Sequence, residues 1–210
     1  MISNDLVVVG TAGAVRNQSD SSDGVVAVRR SNGEVVWRVD TLRDVNGVAI
    51  SRQRVVVTGD EGKVWGLRVS DGKIEWTFEA GTSVYTNPLV TDGLVVVGDA
   101  AGILWGIDLD DGTVVWRKFL LGAIRGGAAT DGRLIYAATD RGDTIAVNRG
   151  GDTIWSGAIP SSTNSDSETS VLAAPTVLED LVIFSIIEDG FDGPALVALD
   201  KYVGTERWRG

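Results

Sequence analysis

Five tryptophans, Trp37, Trp76, Trp116, Trp155 and Trp208, recur at intervals of 39, 40, 39 and 53 residues. Self-similarity at a near-fixed period restricts a chain to an array of one supersecondary unit, each copy burying its face on the next. Ahead of each tryptophan stand a small residue and then a glycine: Ala27 and Gly33, Gly66 and Gly72, Gly106 and Gly112, Ala146 and Gly151, Ala198 and Gly204. The small residue leads the tryptophan by ten positions except in the fourth copy, which is one residue shorter and so predicts a different turn at Arg149-Gly150-Gly151-Asp152. The last interval contains an insertion.

The glycines follow turn partners, as Asn32-Gly33, Asp71-Gly72, Asp111-Gly112 and Gly150-Gly151. Such dipeptides tolerate positive φ and predict two-residue hairpins. In the clearest copy the strands read Tyr85 to Val90, Leu94 to Gly98, Ile103 to Leu109 and Val114 to Phe119, with Thr91-Asp92-Gly93 turning between the first two. The apolar runs Leu6 to Val9, Val55 to Val57, Leu94 to Val97, Leu134 to Tyr136 and Leu181 to Phe184 are continuous, as expected of second strands covered on both faces.

Four short antiparallel strands in about 40 residues make one β-propeller blade. The expectation is an all-β propeller, or partial propeller, of five four-stranded antiparallel blades within a single domain spanning 1–210. The blades run approximately 1–40, 41–79, 80–120, 121–159 and 160–210. The first begins at Leu6, the second strand of its blade, and is expected to lack its inner strand, giving nineteen strands in all. A fragment of a larger propeller, or an open arc capped by a partner, is favoured over a closed five-bladed ring.

Composition excludes several functions. A formal charge of −10 and a pI near 4.5 disfavour nucleic-acid phosphates and anionic lipid as partners. With no Cys and no His, thiolate and imidazole metal sites, cysteine nucleophiles and a Ser-His-Asp triad are impossible. Met1 to Gly10 has neither a basic segment nor an apolar run long enough for a signal peptide or membrane span. The acids are mostly Asp (21 against 8 Glu) and the bases mostly Arg (15 against 4 Lys), a bias that resembles proteins of salt-loving organisms.

The pattern small-x-Asp-x-x-x-Gly-x-x-x-Trp runs from Gly106-Ile107-Asp108 to Trp116 and from Ala198-Leu199-Asp200 to Trp208. It resembles the tryptophan-docking motif of the quinoprotein-type (PQQ-like) β-propeller repeats, over almost the whole chain. The resemblance implies that each tryptophan is sandwiched between the glycine peptide of its own turn and the small residue of the adjacent motif. Arg29, Arg68 and Asn148 replace the motif Asp in three copies, so the hydrogen bonding of those turns must vary. WD40 repeats need a histidine and kelch repeats a period nearer 50.

The resemblance carries two functional expectations. The non-enzymatic members, such as an outer-membrane assembly lipoprotein and extracellular sensor domains, imply a protein-binding, scaffold or sensor module outside the cytoplasm that holds no cofactor. The alternative is a fragment of a pyrroloquinoline-quinone dehydrogenase. Those enzymes clamp the quinone with adjacent cysteines, stack it on a tryptophan and hold Ca²⁺ beside a catalytic Asp; here there is no cysteine and no Asp matches that base. No catalytic, cofactor-binding or metal residue is assigned.

In such blades the loops joining strands two to three and four to one share a face. The long segments Thr11 to Gly24, Gly157 to Ser170 and Glu188 to Pro194 fall there, and loops on a rigid scaffold are where binding usually lives. Asp60, Asp99 and Asp140, one from each of three successive blades, are placed on that face. With Asp166, Glu188, Asp189 and Asp192, and with Asp20 and Asp23, they form a candidate binding face or a set of solvated acidic loops. No Asp-x-Asp-x-Asp-Gly calcium loop is present. Ser161 to Ser167 reads as a mobile loop, and Trp65 and Trp105 as packing between blades. The expected partner is another protein or the rest of a larger propeller.

Overall fold

The computed structural model describes residues 2–3, 5–12, 21–160, 169–188 and 195–210, and among them there is no helix. Five antiparallel sheets follow one another along the chain. The first blade contains β1 (Ile2–Ser3), β2 (Leu6–Thr11), β3 (Gly24–Arg29) and β4 (Val35–Asp40). The second contains β5 (Val45–Ser51), β6 (Arg54–Gly59), β7 (Lys63–Arg68) and β8 (Ile74–Glu79). The third contains β9 (Leu89–Thr91), β10 (Leu94–Gly98), β11 (Ile103–Asp108) and β12 (Val114–Phe119). The fourth contains β13 (Ala128–Thr130), β14 (Leu134–Ala138), β15 (Asp143–Asn148) and β16 (Thr153–Ala158). The fifth contains β17 (Thr169–Val171), β18 (Thr176–Leu178), β19 (Leu181–Glu188), β20 (Ala195–Asp200) and β21 (Glu206–Arg209).

Three expectations are corrected here. The inner position of the first blade is not empty: Ile2 and Ser3 pair with Val7 and Leu6. The third blade's first strand starts at Leu89 and not Tyr85, because Pro88 has no amide to offer a ladder. In the fifth blade the first strand is broken into β17 and β18, both paired with β19, around Leu172 to Pro175. The described strands therefore number twenty-one and not nineteen.

The turns between third and fourth strands are also longer than two residues. Arg29 N donates to Glu34 O, and Gly33 N reaches back to Arg29 O, closing a four-residue loop; Arg68, Asp108 and Asp200 repeat the pattern. In the fourth blade Asn148 N donates to Asp152 O and Gly151 N to Asn148 O, a loop one residue tighter, as its spacing predicts. Beside every loop the register slips at the small residue, between Ala27 and Val28 and at the four equivalent places. This recurring bulge re-aims the strand.

The apolar core is divided into four clusters, one between each pair of successive blades. Val8, Val25, Ala27 and Trp37 meet Val55, Val57, Trp65 and Leu67. Val56, Val64, Trp76 and Phe78 meet Val95, Val97 and Trp105, and the third and fourth joints repeat the scheme. The alternation of a second strand explains this: Val55 and Val57 face the preceding blade while Val56 faces the following one. Among the described residues no such cluster joins the fifth blade to the first.

Candidate interaction surfaces

Each joint is built on one tryptophan. Trp37 Nε1 donates to Val69 O at 2.8 Å, Trp76 to Leu109 O at 2.9 Å, Trp116 to Arg149 O at 2.9 Å and Trp155 to Lys201 O at 2.8 Å. The acceptor lies in the following blade's turn. The glycine of that same turn backs the ring: a Cβ built on Gly72, Gly112, Gly151 or Gly204 would stand 2.5–2.7 Å from Trp37, Trp76, Trp116 or Trp155 respectively. The ring's other neighbour is the small residue across its own blade, since Ala27 pairs with Trp37, Gly66 with Trp76, Gly106 with Trp116, Ala146 with Trp155 and Ala198 with Trp208.

The sandwich is thus the reverse of the one the motif resemblance implied. The tryptophan takes the small residue from its own blade and the glycine from the next. The reason lies in the strand order: a third-strand residue is the fourth strand's cross-strand neighbour within a sheet, while the turn can only be reached across a joint.

The two ends of the array differ from its interior. Trp208 is 42% exposed, against 7–8% for the other four docking tryptophans, and no described residue accepts its indole N–H. Around Gly33 an added Cβ would meet nothing within 4 Å.

Of the acidic face, Asp60, Asp99 and Glu188 are buried. Asp99 is completely buried: Oδ1 accepts the amides of Ala101 and Ile103 at 2.9 Å, and Oδ2 accepts Trp105 Nε1 at 2.8 Å. Thr139 Oγ1 accepts the equivalent amides, of Arg141 and Asp143, in the fourth blade. Asp99 therefore stands where Gly59 and Thr139 stand, whereas Asp60 and Asp140 occupy the position of Ala100, whose amide bonds back to the segment leading into its own blade's first strand, as theirs do. The three carboxylates are one residue out of step, and Asp99 is a turn residue and not part of a binding face.

Asp140 remains partly accessible, but its oxygens accept Ala123 N and Arg125 Nε, each at 2.8 Å. Asp60 is 3% exposed; Oδ1 accepts Asn46 Nδ2 at 2.5 Å, and Oδ2 is buried without a hydrogen-bond partner. Glu188 is buried too, ion-paired with Arg209 at 2.6 Å, so it is also removed from the binding face. Asp23, immediately before β3, is buried. Asp20, Asp166, Asp189 and Asp192, and the Ser161 to Ser167 segment, lie outside the described residues. Trp65 and Trp105, each 8% exposed, sit in the clusters between blades.

One ion pair missed by the sequence reading crosses the last joint. Lys201 Nζ lies 2.9 Å from Asp131 Oδ2, with the Tyr136 hydroxyl 3.5 Å from the same oxygen. Burial alone would raise the Asp131 carboxyl; the amides of Leu134 and Arg133 and the Lys201 ammonium outweigh it and hold the pKa down at about 2. Burial, and then the Asp131 charge, push the Tyr136 phenol upward. The signal was weak because these residues are seventy positions apart and belong to no motif.

Surface cavities lie mostly between neighbouring blades. That between the first two, about 170 Å³, is lined by Val25, Leu42, Val57 and Trp65 together with Asp40, Glu61 and Lys63. Another of 330 Å³ between the third and fourth holds Asp143, Lys118 and Phe119. Among the described residues no group of three or more Asp or Glu converges as a metal site would require, and no helix is long and apolar enough to cross a membrane.

Comparison with known proteins places this architecture. The chain is 24% identical over 185 residues to the outer membrane protein assembly factor BamB of Shewanella oneidensis, covering 77% of this chain and 47% of that protein. The crystal structure of BamB from Moraxella catarrhalis superposes with a TM-score of 0.74 at 22% identity, over 97% of this chain and 64% of that one. The computationally designed Ika8 protein gives 0.79 at 15% identity, over 100% and 60%. The quinohemoprotein alcohol dehydrogenase of Comamonas testosteroni gives 0.72 at 15%, over 98% and 45%. These structural likenesses show a shared propeller fold, and the chain spans about half the length of the curated relative it matches. The family profile described as outer membrane protein assembly factor BamB matches residues 21–185 and 110–210. The profile covers most of the chain, and the chain belongs to the PQQ-like repeat β-propeller family of the outer membrane protein assembly factor BamB.

Proposed function

We propose that the protein is a non-catalytic propeller module that binds other proteins outside the cytoplasm, as a scaffold or sensor. The observation that carries this reading is the fate of the carboxylates. Asp99 and Glu188 are consumed by turn amides, an indole and an arginine, and Asp140 by a backbone amide and Arg125. What the described surface offers instead is apolar: Phe119 and Leu121 are more than 60% exposed on the third blade, as is Leu42 between the first two. Exposed apolar side chains on a rigid frame suit protein contact better than chemistry. Membership of a family named for an assembly factor supports the same reading.

The dehydrogenase-fragment alternative rests on a likeness of fold, and fold does not imply function. Titration with pyrroloquinoline quinone and Ca²⁺ separates the two. The scaffold reading expects no saturable heat of binding; saturation at micromolar quinone would overturn it. The positive arm is reconstitution with a purified cell-envelope protein that co-purifies with the chain. Saturable binding lost on Phe119→Ser or Leu121→Ser would support it.

A further inference from the structure

Trp65 and Trp105 occupy the same position in successive third strands, forty residues apart, yet their surroundings differ on two sides. Trp105 donates its indole N–H to Asp99 Oδ2 at 2.8 Å, and Phe78 packs on it edge-on, with ring centroids 5.1 Å apart at 63°. For Trp65 both partners are replaced. Gly59 stands where Asp99 stands, since Trp65 pairs with Val57 as Trp105 pairs with Val97. A Cβ on Gly59 would lie 3.1 Å from the edge of the Trp65 ring, and no described residue accepts the Trp65 N–H. Val39 on β4 stands where Phe78 stands on β8: Val39 pairs with Val25 as Phe78 pairs with Val64, each two positions after its docking tryptophan.

The cavity of about 170 Å³ between the first two blades lies where these exchanges leave space, with Val39, Val57 and Trp65 in its wall. An apolar space of about 150 Å³ accepts a benzene ring, whereas sites that enclose a whole cofactor run to roughly 300 Å³ and more. One side-chain ring fits. The next joint shows the corresponding place filled by such a ring, because Phe78 is buried there and packs in one cluster with Trp105 and Ile103.

Charge replaces apolar surface beside it. Where the third blade has Ala101 and Ile103, the second has Glu61 and Lys63, paired at 3.1 Å. Lys63 stands opposite Glu79 across the strands, and Asp40 pairs with Arg38 at 2.6 Å. Three carboxylates thus meet two cations, in a chain of net charge −10, and the excess selects a basic group over an acidic one.

We infer that this socket takes one aromatic side chain, a phenylalanine or tyrosine beside a lysine or arginine, from an extended segment of a partner protein. Leu42 and Ile74, which line the socket while 63% and 44% exposed, give the segment apolar contact beside the ring. A backbone carbonyl of the segment supplies Trp65 with the acceptor that Asp99 supplies to Trp105. The inference rests on the protein-binding reading and adds to it the chemistry of what is bound.

The seven indole N–H resonances of the isotope-labelled chain report on occupancy one by one. Titration with acetyl-Lys-Phe-Lys-amide should move the Trp65 resonance saturably in the millimolar range, as one buried ring allows, and leave that of Trp105 in place. Acetyl-Lys-Ala-Lys-amide should move neither, and acetyl-Glu-Phe-Glu-amide should bind about tenfold more weakly. Val39→Phe rebuilds in the first joint the contact that Phe78 makes in the second, so it should lose the peptide while its melting temperature holds or rises. Leu42→Ser, at an exposed position, is the second variant should Val39→Phe fold poorly, and should weaken binding several-fold. A Trp65 resonance that does not move overturns the inference, as does an equal response to the alanine peptide or binding that survives both variants. A response to toluene without one to the peptide means that the socket takes free aromatic molecules, and overturns the partner assignment. The wider protein-binding reading is judged separately, by Phe119→Ser and Leu121→Ser on the third blade, so either can fail while the other stands.

Discussion

Trp37 of the first blade lies so close against Gly72 of the second that a Cβ there would stand 2.6 Å from the ring. Its indole N–H simultaneously bonds the Val69 carbonyl three residues earlier. One side chain thus reads both the shape and the hydrogen-bonding capacity of the neighbouring turn, and the relationship is repeated at three further joints.

Gly72→Ala should therefore cost about 2–4 kcal/mol of stability, combining strain at positive φ with collision against a buried ring. Gly33→Ala carries the φ strain alone, about 1–2 kcal/mol, because its surroundings are open. Urea unfolding of the two variants measures the difference. Equal losses would show that the ring contact contributes nothing.

Truncating an internal tryptophan should be far costlier than truncating the last. Trp155→Ala leaves a cavity and strips the Lys201 carbonyl of its donor, at about 3–5 kcal/mol. Trp208→Ala, at a half-exposed position, should cost less than about 1 kcal/mol when measured by chemical denaturation.

Asp99→Ala should destabilise by about 2–4 kcal/mol because two amides and an indole N–H lose their acceptor inside the protein. Asp140→Ala, whose carboxylate is still reached by solvent, should cost about 1 kcal/mol. If the two losses came out alike in thermal melts, the distinction drawn between a buried turn residue and a surface pair would be wrong.

The Asp131–Lys201 pair predicts a pH window. The folded Asp131 carboxyl titrates at about 2, below the roughly 3.9 of an unfolded chain. Its contribution is whole above the unfolded value and is lost as pH falls from about 4 toward 2. Asp131→Asn should flatten that part of the stability curve by about 1 kcal/mol, solvent screening included. A profile over this range identical to wild type would refute the assignment. Lys201, raised by its bond to Asp131, adds stability that fades only when pH climbs past the ordinary lysine range.

Much of the architecture was legible in the spacing of five tryptophans, because a blade is a local unit: its strands are adjacent in sequence, and its turn glycines are fixed by φ. What spacing could not show was which blade supplies which wall of the tryptophan's pocket. Ala27 and Gly72 lie on opposite sides of Trp37, one ten residues before it and one thirty-five after, and a periodic pattern makes both equally near. The placing of Asp99 beside Asp60 and Asp140 failed for a related reason. Asp60, Asp99 and Asp140 look equivalent at intervals of 39 and 41, yet a slip of one position in a turn separates a carboxylate that is buried and fully bonded from one that meets an arginine at the surface.

Composition and spacing settled the unit: short strands, glycine turns, a small residue opposite each tryptophan, and the absence of any thiol or imidazole. How units join, and which carboxylates are spent holding turns, depended on the folded chain. Burial and hydrogen-bond satisfaction across a joint depend on the neighbouring blade, while the motif that builds each blade is the same whether or not a neighbour is there.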